Sequence, residues 1–213
     1  MNCKRIVCYG DSNTWGYNAA DFTRFGDDLR WTRQLQKLLG DQYMVMEEGV
    51  NGRTTVLEDP LGEGLNGLAS LAPVLYAHQP IALLVIMLGT NDCKERFAMT
   101  AANIAAGVRR LAIKAKELQV WRGTPNILLL APAAMGEGMY DLPDVIADMG
   151  HDSVKKSQQL PARIQAVAAE LGTHYLDINP FVSVDPRDCL HLTRESQLPL
   201  AAALAEVIPP LLP

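Results

Sequence analysis

The chain has 213 residues, 48% hydrophobic and 20% charged, with a formal net charge of −5. That length is enough for one domain with a well-buried core, so a single domain over residues 1–213 is expected. The acidic balance, with no basic stripe, argues against nucleic-acid binding, and no apolar run approaches the roughly 20 residues that span a bilayer.

The first apolar run, Ile6-Val7-Cys8-Tyr9, marks a strand over residues 5–9 and ends in Gly10-Asp11-Ser12-Asn13. Trp31, Leu35 and Leu38 then fall at helical spacing, followed by a strand at residues 43–47 and another at 82–88. Thr100 is a suitable N-cap for a helix carrying Ile104, Val108, Leu111, Ala115 and Leu118 on one face. After a strand at 126–131, Ile164, Val167, Ala168 and Leu171 mark a helix ended by Gly172. A strand at 174–178 and a helix at about 195–208, stopped by Pro209-Pro210, complete the chain. The strands beginning near Ile6, Leu83 and Ile127 are continuously apolar, as strands buried on both faces are. Alternation of such strands with helices predicts an α/β fold, a three-layer α/β/α sandwich around a central parallel five-stranded sheet.

Residues 133–153 interrupt this rhythm: Gly136, Gly138, Pro143 and Gly150 are interspersed among Met135, Met139, Tyr140 and Met149. The expectation is an irregular loop, serving as a lid or as a contact in a homo-oligomer. Cys3, Cys8, Cys93 and Cys189 show no CxxC spacing and no adjacent histidine cluster, so no metal is expected. Strand-like sequence follows almost directly after Met1, without a signal peptide. A reduced, cytoplasmic protein is expected.

Ser12 stands where a strand stops, at the edge where open α/β sheets collect ligands, and it needs a base to act as a nucleophile. Of His78, His151, His174 and His191, His191 stands out because Asp188 lies three residues earlier, in a segment just before the last helix. That spacing lets the carboxylate fold back onto Nδ1 and leaves Nε2 for the serine proton. Asp185, six residues away, is the second choice. Two more turns follow strands: Gly49-Val50-Asn51-Gly52-Arg53, where Asn-Gly favours positive φ, and Gly89-Thr90-Asn91-Asp92, where Asn91 carries an amide donor. Asp11 and Asp92 read as turn-holding groups, and Arg30 and Arg53 as partners of Glu47, Glu48 or Asp92. Trp15 reads first as packing, yet it is near enough to Ser12 to line an acyl pocket, with Asp11 beside it. Gly62–Gly67 formally matches GxGxxG but follows no strand, and Ser12 does not lie in GxSxG.

Taken together, these blocks resemble the GDSL or SGNH hydrolases. Gly10-Asp11-Ser12-Asn13 resembles the first block, with Asn13 in place of the commoner leucine. Gly52, Gly89-Thr90-Asn91-Asp92 and Asp188-Cys189-Leu190-His191 are similar to the later ones. Thr14-Trp15-Gly16, Arg30-Trp31-Thr32, Glu47-Glu48-Gly49, Arg53-Thr54-Thr55 and Leu65-Asn66-Gly67 resemble the arylesterase and acyltransferase branch, whose members act on short acyl esters. Ser196-Gln197 departs from the glycine often found downstream of the histidine. The resemblance implies a flavodoxin-like SGNH fold, Ser12 as nucleophile, His191 as base and Asp188 as its orienter. It also implies oxyanion donors from the Ser12 N–H, the Gly52 N–H and the Asn91 side chain, a small-molecule ester substrate, an acyl-Ser12 intermediate and no cofactor. The alternatives are a carbohydrate acetylesterase with the same machinery and a non-catalytic α/β binding module.

Overall fold

Alternate residues of the first strand feed two different cores, Ile6 and Cys8 one, Val7 and Tyr9 the other. Such a strand needs a neighbour on each edge and helices over both faces. The computed structural model, which describes residues 3–212, supplies them. Met1, Asn2 and Pro213, the ends of the expected domain, lie outside the described residues. In chain order the elements are β1 (Lys4–Gly10), α1 (Ser12–Trp15), β2 (Tyr17–Asn18), β3 (Thr23–Arg24), α2 (Trp31–Leu39), β4 (Tyr43–Gly49), α3 (Gly67–His78), β5 (Leu83–Met87), α4 (Ala101–Glu117), β6 (Ile127–Ala131), α5 (Pro143–Met149), α6 (Ser153–Leu171), β7 (His174–Asp177) and α7 (Gln197–Val207).

Five strands form one parallel sheet in the order β4-β1-β5-β6-β7. All five expected strands are present. The order reverses at β1, and in open α/β sheets ligands collect beyond the strand ends at such a switch point. One face is covered by Trp31 and Leu35 of α2 with Leu200, Ala201 and Leu204 of α7. The other is covered by Leu71 and Leu75 of α3, Ile104, Val108 and Leu111 of α4, and Leu160 and Ile164 of α6. The carbonyl oxygen of Gln197's side chain accepts the Trp31 N–H (3.0 Å), so α7 caps α2.

The structure departs from expectation in four places. Helix α3 was not foreseen: its sequence is apolar nearly all round and shows no period, and its start is fixed by Asn66 Oδ1, which accepts the N–H groups of Leu68 and Ala69. The hairpin β2–β3 is too short to leave a pattern. Leu38, expected on the buried stripe of α2, is 50% exposed, and Thr32 takes an inner position by bonding Glu47. Residues 133–153 are not irregular throughout: they hold a 3-10 turn, Glu137–Asp141, and α5. Met135, Met139 and Met149 are buried in the α4–α6 core, where an unbranched side chain fills gaps without a helical period.

The far end of the chain returns to the start of β1: Lys4 Nζ donates to Leu212 O, and Asn126 Nδ2 donates to Leu211 O (2.8 Å). Among the described residues, no helix is long and apolar enough to cross a membrane.

At the opposite edge, α1 crosses directly over the end of β4. A Cβ on Gly49 would lie 2.2 Å from the backbone nitrogen of Trp15. Neither backbone can retreat without moving β1 or β4. Gly49→Ala is therefore expected to destabilise the fold by at least about 1–3 kcal/mol, measured by urea unfolding.

Candidate active site

The chain after β1 is bent into α1 by Asp11, an extended N-cap whose Oδ1 accepts the Asn13 N–H at 3.0 Å. Ser12 is the first residue of α1, so its own N–H has no acceptor within the helix. The side chain of Ser12 lies 2.9 Å, Oγ to Nε2, from His191. His191 comes from the loop before α7, where Asp188 folds back on its own chain. Asp188 Oδ1 accepts the N–H groups of Leu190 and His191, both at 2.9 Å, and Oδ2 meets His191 Nδ1 at 2.7 Å. Burial alone would push the Asp188 carboxyl up, but the His191 hydrogen bond and charge, with the two N–H groups, outweigh it and hold it below the usual carboxylate range.

Other groups that the sequence offered lie elsewhere. Asp185 pairs with Arg187 at 3.0 Å. His78 meets Glu48 at 2.5 Å, His151 stacks on Tyr140 and His174 is exposed at the start of β7. Among the described residues, no group of three His, Cys, Asp or Glu side chains is placed to hold a metal ion.

The turn after β4 places Gly52 at φ +82°, a left-handed conformation that side chains rarely adopt. Asn91, in the turn after β5, donates from Nδ2 to Arg53 O at 3.1 Å, which holds its amide beside the turn that carries Gly52. Asp92 ties the same two turns together: it accepts the Thr55 N–H at 3.0 Å and the Thr55 hydroxyl at 2.5 Å. Arg30 pairs with Glu47 at 2.8 Å, in keeping with the sequence, and also with Asp27. Arg53 is different, because its guanidinium lies 4.1 Å from the centre of the Tyr9 ring and donates to the main-chain oxygens of Gly10 and Glu48 rather than to a carboxylate.

Asp11 lies beneath the Ser12 turn and is 1% exposed. Trp15 is half-buried, with the Arg24 guanidinium 5.2 Å from its ring centre. One neighbour of the imidazole left no signal in the sequence. Tyr17, from the two-residue strand β2, packs its ring on that of His191 with centroids 4.1 Å apart and planes tilted by 34°.

A hydroxyl, an imidazole and a carboxylate in one hydrogen-bonded row, beside N–H donors at a sheet edge, can carry out acyl transfer. Residues 8–197 match the model of the GDSL-like Lipase/Acylhydrolase family. The chain belongs to that family. It is an esterase of the GDSL type. Among solved structures of the fold, the native aryl esterase of M. smegmatis is 33% identical, with 99% of this chain and 100% of that one covered at a TM-score of 0.92. A carbohydrate acetylesterase from Sinorhizobium meliloti is 32% identical, covering 98% of this chain and 99% of that one, also at 0.92. No curated protein matches the chain significantly.

Two carboxyls under this family site carry an electrostatic cost. Burial pushes both Asp11 and Asp92 up to about 6, although the N–H and hydroxyl donors around them pull the other way. Between its ordinary value of 3.8 and about 6, native Asp92 keeps a proton that the unfolded chain releases. Its contribution to stability therefore falls as pH rises through that window and is fully lost above it. Unfolding free energies measured from pH 4 to 7 should fall less steeply for Asp92→Asn than for wild type.

Proposed function

We propose that this esterase cleaves short acyl esters through an acyl-Ser12 intermediate. The observation that carries the proposal is the unbroken row Asp188 Oδ2–His191 Nδ1 at 2.7 Å and His191 Nε2–Ser12 Oγ at 2.9 Å. In this reading Ser12 Oγ attacks the ester carbonyl carbon while His191 Nε2 takes its proton. Asp188 holds the Nδ1–H tautomer and stabilises the imidazolium. The carbonyl oxygen becomes an oxyanion that accepts from the Ser12 N–H, the Gly52 N–H and the second Nδ2 hydrogen of Asn91. The imidazolium returns its proton to the leaving alkoxide. Water then attacks the acyl-serine with His191 as base and regenerates the free hydroxyl. An alcohol in place of that water would turn hydrolysis into acyl transfer by the same steps.

Short acyl chains are favoured by the sequence blocks that resemble the arylesterase and acyltransferase branch, and the likeness to the M. smegmatis aryl esterase over nearly all of both chains is in keeping with that branch. The equally extensive likeness to a carbohydrate acetylesterase favours a second reading, in which acetylated sugars are the esters. Both readings use the same residues and differ only in the alcohol.

Fluorophosphonate labelling should place one covalent adduct on Ser12, and an unlabelled serine would sink the mechanism. With p-nitrophenyl esters, turnover should fall from acetate to octanoate, and acetylated sugars assayed in parallel separate the two substrate readings. Ser12→Ala should lower kcat on the order of 10⁴–10⁶-fold. Asn91→Ala should lower kcat about 10²–10³-fold and leave KM nearly unchanged, because its donor acts on charge that exists only in the transition state.

A further inference from the structure

Ser12 and His191 stand 179 positions apart in the chain, and the proposed mechanism needs their side chains within hydrogen-bond reach. The Asp188 bonds cannot set that distance. They are local to the loop, spanning two or three residues, and would travel with His191 if the loop moved.

Asn13 reaches across the gap. Its Oδ1 accepts the Leu192 N–H at 2.9 Å, and its Nδ2 donates to Leu190 O at 3.4 Å. These are the main-chain groups on either side of His191. Asn13 is itself held firmly: its N–H donates to Asp11 Oδ1 at 3.0 Å, its carbonyl accepts the Trp31 indole N–H at 2.9 Å, and it is 4% exposed. Trp31 is fully buried between the sheet and α7. Among the described residues, the only other hydrogen bond joining residues 11–16 to residues 185–193 is that between Ser12 and His191.

We propose that Asn13 is the positioning residue that sets the Ser12–His191 distance, and this rests on the mechanism proposed above. Its amide clamps the main chain on both sides of the imidazole to the turn that carries the nucleophile, so that neither residue can drift relative to the other. The Leu192 bond is the shorter and fixes the separation. The Leu190 bond adds a second point of attachment and so resists rotation of the loop about the first. A misplacement of about 1 Å between reacting groups costs on the order of 10²-fold in rate.

The test compares wild type, Asn13→Ala and Asn13→Asp by p-nitrophenyl acetate kinetics and by the rate of fluorophosphonate inactivation, with folding checked by circular dichroism. Asn13→Ala loses both contacts; its kcat and inactivation rate should fall about 10–10²-fold while KM stays within about threefold. Asn13→Asp keeps the acceptor for Leu192 and loses the donor to Leu190, so its kcat should lie between the other two. A purely structural role would instead lower the active fraction and leave the kcat of the folded enzyme unchanged. A folded Asn13→Ala with kcat within threefold of wild type overturns the inference, as does a loss that appears in KM alone. If Asn13→Ala does not fold, a wild-type kcat in Asn13→Asp overturns it. Failure of wild type to label at Ser12 would refute the esterase mechanism itself; equal labelling of wild type and Asn13→Ala would refute only the role of Asn13.

Discussion

The register of β1 is the constraint on which the site depends. Gly10 lies opposite Gly49 on one side and Met87 on the other, so three parallel strands end level with one another. Parallel strands must be joined by crossovers, which begin at one edge of the sheet and return to the other. The turns that leave β1, β4 and β5 therefore emerge together, and they carry Ser12, Gly52 and Asn91. A slip of one residue in β1 would turn Ile6 and Cys8 into the wrong core and move Ser12 along the edge as well. Packing of the two apolar layers and placement of the hydroxyl are one requirement.

His191 has no such guarantee. It does not follow a strand of the sheet, and its loop is shaped by contacts of its own: Asp185 N–H to His191 O at 2.7 Å, Gly136 N–H to Cys189 O at 2.9 Å, and the Tyr17 ring against the imidazole. The segment at 133–153 thus matters to the site indirectly, since its buried methionines anchor the backbone that braces Cys189. Beneath the edge, Asp92 bonds to Thr55 and Asn91 bonds to Arg53, joining the turns to one another, and burial makes the charged Asp92 carboxylate costly to stability. Rigidity at this edge opposes the ordinary tendency of turns to move independently.

Much of this could be read from the residues. Apolar runs such as Leu83–Met87 signal strands buried on both faces because each residue position must be apolar. Asp188 and His191 were readable as a pair because their contact is local, three residues of loop with a fixed reach. Helix α3 was hidden for the opposite reason: its residues are apolar on nearly every side, the exposed Ala69, Pro73 and Tyr76 included, so no polar face marks its period. Tyr17 was illegible because it reaches His191 through a two-residue strand, and strands that short carry no alternation. Asn13 was visible as a departure from the commoner leucine, but its reach to Leu190 and Leu192 is a fact of tertiary structure and leaves no trace in spacing.

The return of the chain to its own start has a practical side. Lys4 meets Leu212 at the foot of β1, whereas Ser12 follows the top of the same seven-residue strand, which is about 20 Å long. A probe or a solid support attached beside Lys4 or Leu212 would approach the foot of the sheet and leave the edge that carries Ser12 facing outward. The same proximity would let a short linker join residues 4 and 212, so that the molecule could be reopened in an exposed connection without cutting through either core.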